Sequence, residues 1–399
     1  MDNRAPDYAA RLSNRLRSIQ PSATVALNEK AAALVKEGKK VIALAAGEPD
    51  FDPPAAIVAE TKKALDTHWT HYTSSLGIPE LRAVIAAKLK EQNGLTYNPA
   101  NEILVTPGAK QGLVYTCLAY LNDGDEVLSP EPAWVSYPEV VALAGAKYVP
   151  IATTPESNFK ITRDALEAKV TKRTRMIFIN TPCNPTGRVL SHEELTAVAD
   201  VAKAHDLFVL SDEIYEKLVF DGHKHHSLAG FPGMWERTLT LNGFSKIYAM
   251  TGYRLGYVAA PAPMIRELNK LQQHSATCPT AFAQAGAAVP HTQLEGSVNA
   301  MIAKFTERRQ LMLKGLAGIP GLKALAPEGS FYMWLDCRAI SMDSRSLSHR
   351  LLEEALVALT PGVAFGQSGE GFLRLSFAAD DATLQEACDR IRKAFTKGN

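Results

Sequence analysis

No stretch of these 399 residues is apolar over the ~18 positions that a membrane-spanning helix requires. Cysteine is scarce. Cys117, Cys183, Cys278, Cys337 and Cys388 are scattered, odd in number and form no CxxC pair. That pattern suits a reducing compartment and argues against a structural zinc site, so no metal is expected. Neither sign of charge is in excess: 43 Lys+Arg face 42 Asp+Glu, formally +1 at pH 7. Such a balance gives no global electrostatic reason to bind nucleic acid or an anionic membrane, although a local basic pocket for a small anion is compatible with it. The first twenty residues are polar and charged, without the apolar core of a secretory signal. The expectation is therefore a soluble cytoplasmic protein. What is present is an ordinary globular profile, 46% hydrophobic and 21% charged. The length suffices for roughly 2 to 3 domains and a core that needs no disulfides.

Beyond the turn-rich GEPDFDPP (47–54), strand and helix signals alternate. Strands are expected at 103–106, 126–129, 147–150, 175–180, 207–212, 238–242 and 256–260, and helices at 109–121 and 192–205. Several of the strands are nearly continuous apolar runs, as strands covered on both faces require. The alternation predicts an α/β fold built on a seven-stranded, mostly parallel sheet. Past residue 295 the texture changes to a long amphipathic stretch (297–316), strand candidates FYMWLD and FLRLSFA, and a terminal helix. These are expected to form a smaller α+β domain (1–48 and 296–399) beside a large domain (49–295).

Three polar clusters follow strand candidates: Asn184-Pro185-Thr186-Gly187, Asp212-Glu213-Ile214-Tyr215 and Ser245-Lys246. In an open α/β sheet the ligand crevice lies beyond the carboxyl ends of the strands, so three clusters there point to one site. Each alone has an ordinary reading as a turn, a helix N-cap or a solvated charge. Lys246 precedes Arg254 by eight residues in GFSKIYAMTGYRLG. A lysine that forms a Schiff base must be accessible and have a lowered pKa, because only the neutral amine attacks a carbonyl. A fixed cation nearby, also able to hold a phosphate, helps to set up such a site. VTPGAKQG (105–112) reads as a strand turning through Pro107-Gly108 into a helix that starts near Ala109, and a helix N-terminus is a natural phosphate seat. It is not a P-loop, and the missing GxGxxG disfavours a dehydrogenase.

These residues carry a resemblance. The chain resembles the pyridoxal-phosphate-dependent class I aminotransferases of fold type I, and most closely the bacterial aspartate aminotransferases of the Ib subgroup. The likeness runs from QPSATVALNEKA and AAGEPDFDPP through HYTSSLGIPELR, PGAKQG, PAWVSYPE, NTPCNPTGRV, SDEIYEKL and GFSKIYAMTGYRLGY to EGSFYMWLD and GEGFLRLSFA. It implies the type I pyridoxal-phosphate transferase fold and pyridoxal 5'-phosphate as cofactor. It implies that Lys246 carries the cofactor covalently and moves the substrate Cα proton, and that Asp212 keeps the pyridine nitrogen protonated. Asn184 and Tyr215 would bond the phenolic oxygen, and Trp134 would stack on the ring. Ser245, Arg254 and the backbone N–H groups of Ala109 and Lys110 would hold the phosphate. Tyr72 would reach the other subunit's cofactor, which implies a homodimer with shared sites. Arg374 would grip the substrate α-carboxylate beside Gly47, with Asn184 and Trp134 bordering the substrate.

In this subgroup Lys110 is associated with the distal carboxylate of aspartate or glutamate. The implied reaction moves the amino group of L-aspartate to 2-oxoglutarate by a ping-pong route. Broader aromatic or aspartate/prephenate activity is the alternative; Gln20 stands where prephenate-using relatives carry lysine, which counts against prephenate. A β-carbon–sulfur lyase or an aminocyclopropane-carboxylate-synthase-like enzyme would share Lys246, Asp212 and Arg254, but Lys110 weighs against both. A transcription regulator would need a DNA-binding module ahead of the PSAT segment. The histidines of HKHH (223–226) read as a solvated loop rather than a metal site, and Cys183 as a small residue in a turn rather than a redox group.

Overall fold

The computed structural model describes residues 8–21 and 23–396. All seven expected strands form one sheet: β1 (Ile103–Thr106), β2 (Glu126–Glu131), β3 (Lys147–Ala152), β4 (Thr174–Asn180), β5 (Phe208–Asp212), β6 (Thr238–Gly243) and β7 (Gly256–Ala259). Their order across the sheet is β1-β7-β6-β5-β4-β2-β3. Only β7 runs opposite to the other six strands. The apolar runs bury both faces, as the sequence requires. Leu104, Leu210, Leu241 and Val258 face one layer of core, while Ile103, Val105, Tyr257 and Ala259 face another.

The strand at the sheet edge is longer than its sequence signal. β3 pairs only with β2, so several of its residues face outward and the apolar pattern fades before the hydrogen bonding does. Its Pro150 is tolerated there because an edge strand has a free N–H side. Pro130 stands in β2 where pairing with β4 has already ended at Leu128.

Helix α1 (Ala109–Tyr120) follows β1 directly, and α2 (His192–Ala204) starts at a capping box of Ser191 and Glu194. The amphipathic stretch becomes α3 (His291–Leu316), which begins earlier than its apolar pattern because it starts straight after Pro290. One side of α3, including Val298, Met301, Phe305, Met312 and Leu316, packs into a core with Leu384 and Ile391 of α4 (Asp381–Thr396). That core also takes in a second sheet of β8 (Lys323–Leu325), β9 (Tyr332–Asp336), β10 (Thr360–Pro361) and β11 (Phe372–Ser376), ordered β10-β11-β9-β8.

The segment before GEPD joins this second core. Ile42–Ala43 pairs in parallel with Val357–Ala358, and Leu44 is buried there. Arg308 on α3 makes a two-pronged ion pair with Asp50, 2.7 and 2.9 Å, which ties the turn-rich loop to the same body. Residues 45–48 are thereby laid across the carboxyl ends of β4, β5 and β6. No described helix is long and apolar enough to cross a membrane.

Candidate active site

One open cavity of about 390 Å³ lies at that junction, and every residue expected at the site except Tyr72 lines it. Tyr72 stands away from it, 85% exposed in the single chain.

The floor is set by two strand ends in register. Asn180 ends β4 and Asp212 ends β5, paired side by side. Asn180 donates through Nδ2 to the Asp212 carbonyl (2.9 Å) and accepts at Oδ1 from the Asn184 N–H (2.8 Å). The Asp212 carboxylate is buried. It accepts from the Tyr137 hydroxyl (2.7 Å) and from the Ile214 N–H (3.2 Å). Burial pushes its pKa up to about 6, against the pull of those two donors, with Glu213 adding to the rise and Lys246 opposing it.

Lys246 follows β6 after a short turn. Its ammonium donates to the Gly47 carbonyl. Burial lowers it to about 8; Glu48 resists, Arg374 and Arg254 push the same way as burial, and Asp212 resists. Tyr215 packs nearby with its hydroxyl 3.1 Å from that of Tyr332.

Opposite the floor, α1 starts without a side-chain cap, so its first N–H groups face the cavity mouth unsatisfied by any side chain. Arg254 reaches this point. Its guanidinium packs so close to Gly108 (φ +84°) that a Cβ there would lie 2.5 Å from Nη2, and it donates to the Thr251 carbonyl at 2.8 Å. Gly256 on β7 likewise leaves room for the Ala109 N–H, where a Cβ would overlap it. These two glycines let a strand, a helix start and a guanidinium converge on one small volume, a cradle for an anion.

Arg374, on β11, closes the other side. It is only 3% exposed. It donates to Asn184 Oδ1 (3.0 Å), the Ala45 carbonyl (2.8 Å) and Thr360 Oγ1 (3.3 Å), and stacks over Tyr332 and Phe365. All these partners are neutral. Its Nε has no partner, and no carboxylate among the described residues pairs with it. A buried cation without an anion is costly to hold, and here it borders a cavity. Lys110 supplies a further cation, its ammonium 4.9 Å above the Trp134 ring.

An anion at the helix start, a protonated ring nitrogen over Asp212 and a carbonyl within reach of Lys246 are what the cavity can accept. The donor set fits pyridoxal phosphate. Residues 39–391 match the family model for aminotransferases of class I and II. The chain belongs to that family. It is 44% identical to an aspartate aminotransferase of Pyrococcus abyssi, over 96% of this chain and 97% of that one. It is 42% identical to aromatic-amino-acid aminotransferase 2 of Thermococcus litoralis, over 96% and 97%. The structure of Thermus thermophilus aspartate aminotransferase with maleate superposes with a TM-score of 0.91 at 40% identity, covering 96% of this chain and 99% of that one. The aminotransferase therefore has the type I pyridoxal-phosphate transferase fold and is a pyridoxal-phosphate-dependent transaminase.

Several residues in or against the cavity have no counterpart in the sequence reading. Asn180 ends a strand just as Asp212 does, so the positional argument that picks one would have picked the other. Tyr137 sits inside a helix, Ser136–Leu143, three residues past Trp134, and nothing local marks its hydroxyl as an Asp212 donor. Glu48 and Thr251 meet across the mouth, Thr251 Oγ1 donating to Glu48 at 2.8 Å. Tyr332 lies under Arg374 and beside Gly47.

Proposed function

We propose that this transaminase moves the amino group of L-aspartate to 2-oxoglutarate, giving oxaloacetate and L-glutamate in a ping-pong reaction. The observation that carries this reading is Arg374, a buried guanidinium with no carboxylate of its own among the described residues, which lines the same cavity as Lys246 and a further cation, Lys110. Two cations suit a substrate with two carboxylates, the α-carboxylate on Arg374 as a two-pronged pair and the distal one on Lys110. Gly47 borders the α-carboxylate with its backbone.

Bound pyridoxal phosphate supplies the electron sink for the carbanion formed at the substrate Cα. Lys246 holds the cofactor, then takes the Cα proton and returns it one position away, as general base and acid. Asp212 keeps the ring nitrogen protonated. Asn184 spends its Oδ1 on Arg374, which leaves its Nδ2 donor for the phenolic oxygen together with Tyr215. Ser245, Arg254 and the N–H groups of Ala109 and Lys110 take the phosphate, and Trp134 lies against the ring. Tyr72, exposed in one chain, reaches the partner subunit's cofactor in a homodimer. We assign residues 49–295 to a large domain and 1–48 with 296–399 to a small one, so that a substrate gripped by Arg374 and worked on by Lys246 draws the two together. The setting is the cytoplasm.

A donor panel of aspartate, glutamate, tyrosine, phenylalanine and alanine, with 2-oxoglutarate or prephenate as acceptor, tests the substrate. Aspartate and glutamate should have the highest kcat/KM with 2-oxoglutarate. Alanine in first place would sink the dicarboxylic reading. The likeness to the Thermococcus litoralis enzyme favours one second reading, aromatic donors. Tyrosine and phenylalanine ahead of aspartate would select it, and strong turnover with prephenate would overturn the inference from Gln20.

Two further results are expected. Tyr137→Phe removes one of two hydrogen bonds to a buried carboxylate, a charge-assisted bond of about 1.5–3 kcal/mol. A fall in kcat of roughly tenfold or more is expected, with weaker cofactor binding. Wild-type kcat in the folded variant would remove Tyr137 from the mechanism. The second concerns pH. Because Lys246 sits at about 8 instead of 10.5, its neutral fraction climbs about tenfold per pH unit below 8 and levels off above it. The rate at which apoprotein captures added pyridoxal phosphate, followed by visible absorbance, should trace that curve. A rate that keeps climbing to pH ~10 would show an unperturbed lysine.

A further inference from the structure

The HKHH loop is not uniformly solvated. His223 and Lys224 are exposed as expected, but the His225 side chain is only 8% exposed and meets Glu213, Nε2 to Oε2, at 3.0 Å. This corrects the reading of the loop and leads into a buried polar network behind the active site. From Asp212 to Glu216 the chain presents side chains to two sides. Asp212, Ile214 and Tyr215 line the cavity, whereas Glu213 and Glu216 point away from it into the protein.

Both outward carboxylates are fully engaged. Glu213 also accepts from the hydroxyls of Ser211 (2.8 Å) and Ser227 (2.6 Å). Glu216 accepts from the Lys88 ammonium, from Asn93 Nδ2 (2.6 Å) and from Asn242 Nδ2 (2.8 Å). Glu213, Glu216 and His225 bring their ligand atoms within 4.8 Å of one another, a spacing that could hold a metal ion. The Lys88 ammonium already occupies the cation's place beside Glu216. Lys88, with His225, holds Glu216 down to about 2 against the cost of burial.

The connectivity gives the network a direction. Glu213 and Glu216 bracket Tyr215 and follow Asp212. Asn242, bonded to Glu216, lies at the end of β6, four residues before Lys246, and its own Oδ1 accepts from the Gly243 N–H at 2.7 Å. One set of hydrogen bonds therefore reaches the backbone that carries all three of Asp212, Tyr215 and Lys246. None of its members lines the cavity.

We propose that Glu213, Glu216 and His225 are positioning residues, which fix Asp212, Tyr215 and Lys246 relative to one another from behind. His225 is the outer brace: its imidazole N–H holds Glu213, and Glu213 holds the turn. The carboxylate can only accept, so the proton on that bond belongs to His225 Nε2. Loss of the brace loosens the turn by a fraction of an ångström, which is enough to matter for reacting groups that must align. The inference rests on the proposed roles of Asp212, Tyr215 and Lys246 toward pyridoxal phosphate.

The test compares His225→Ala, His225→Gln and Asp212→Asn with wild type as holoenzymes. It follows kcat and KM for the best donor of the panel, the rate of pyridoxal phosphate loss on dialysis, and the visible circular dichroism of the bound cofactor. His225→Gln keeps a side-chain N–H for Glu213. The expectation for His225→Ala is a kcat lower by about tenfold, a donor KM within about twofold, faster cofactor loss and a changed visible dichroism. His225→Gln should return kcat to within about twofold of wild type. Wild-type kcat and dichroism in His225→Ala would overturn the proposal. So would a variant that merely melts earlier while kcat per bound cofactor is intact, or a His225→Gln as impaired as His225→Ala. An Asp212→Asn variant with wild-type spectrum and turnover would instead sink the site assignment on which the proposal stands.

Discussion

Lys246→Ala is expected to lose about 10⁴-fold or more of turnover while keeping its fold. Two functions proposed for Lys246 end together: the covalent hold on the cofactor and the proton transfer at Cα. Among the described residues the one other amine that lines the cavity is Lys110, whose ammonium lies over the Trp134 ring and is assigned to the distal carboxylate. The structural cost is small. Among the described residues the one side-chain hydrogen bond of Lys246 goes to the Gly47 carbonyl, and its position near the Phe331 ring places an ammonium where burial already disfavours charge. Removing a partly desolvated cation leaves the melting temperature unchanged or slightly higher. Steady-state assays beside a thermal melt decide the point. Turnover within tenfold of wild type would show that the proton moves by another route.

Arg374→Leu should lower kcat/KM by about 10²- to 10⁴-fold, the loss of two charge-assisted hydrogen bonds of about 1.5–3 kcal/mol each. Its effect on the free protein should be far smaller. Arg374 is buried with only neutral partners and an unpaired Nε, so its charge contributes little to folding. Burial accordingly lowers its pKa. A non-reacting dicarboxylate such as maleate separates the two effects. A ligand that binds only the folded form at a hundred times its Kd adds about 2.7 kcal/mol of stability. Maleate should therefore raise the melting temperature of wild type and leave that of Arg374→Leu unmoved. Equal stabilisation of both would place the anion site elsewhere.

The large sheet was legible because its strands are buried on both faces. Such strands are short, apolar and bounded by turn formers, and all seven lie within a few residues of their sequence signals. The edge strand β3 ran past its signal for the opposite reason, since a half-exposed strand has little apolar pattern to read. Asp212, Asn184 and Lys246, which follow strand ends, do meet in one cavity, because strand ends mark the crevice. The roles proposed for Trp134, Arg374 and Gly47 rest on the resemblance; a tryptophan or an arginine in a strand carries no local sign of its task. Tyr137, Glu48 and the Glu213–Glu216–His225 network were not legible. Their parts depend on contacts between segments far apart in the chain, such as Lys88 with Glu216 and Glu48 with Thr251. His225 reads as solvated for a related reason. It shares a loop with exposed neighbours, and only the fold turns it inward.

The proposed mechanism depends most on which side chain is bonded to the cofactor. Reduction of the holoenzyme with borohydride, followed by proteolysis and mass mapping, reads this directly. The expected result is one pyridoxyl-phosphate label per chain, on the peptide that contains Lys246. A label on Lys110 or any other lysine, or no label on a yellow holoenzyme, would contradict it.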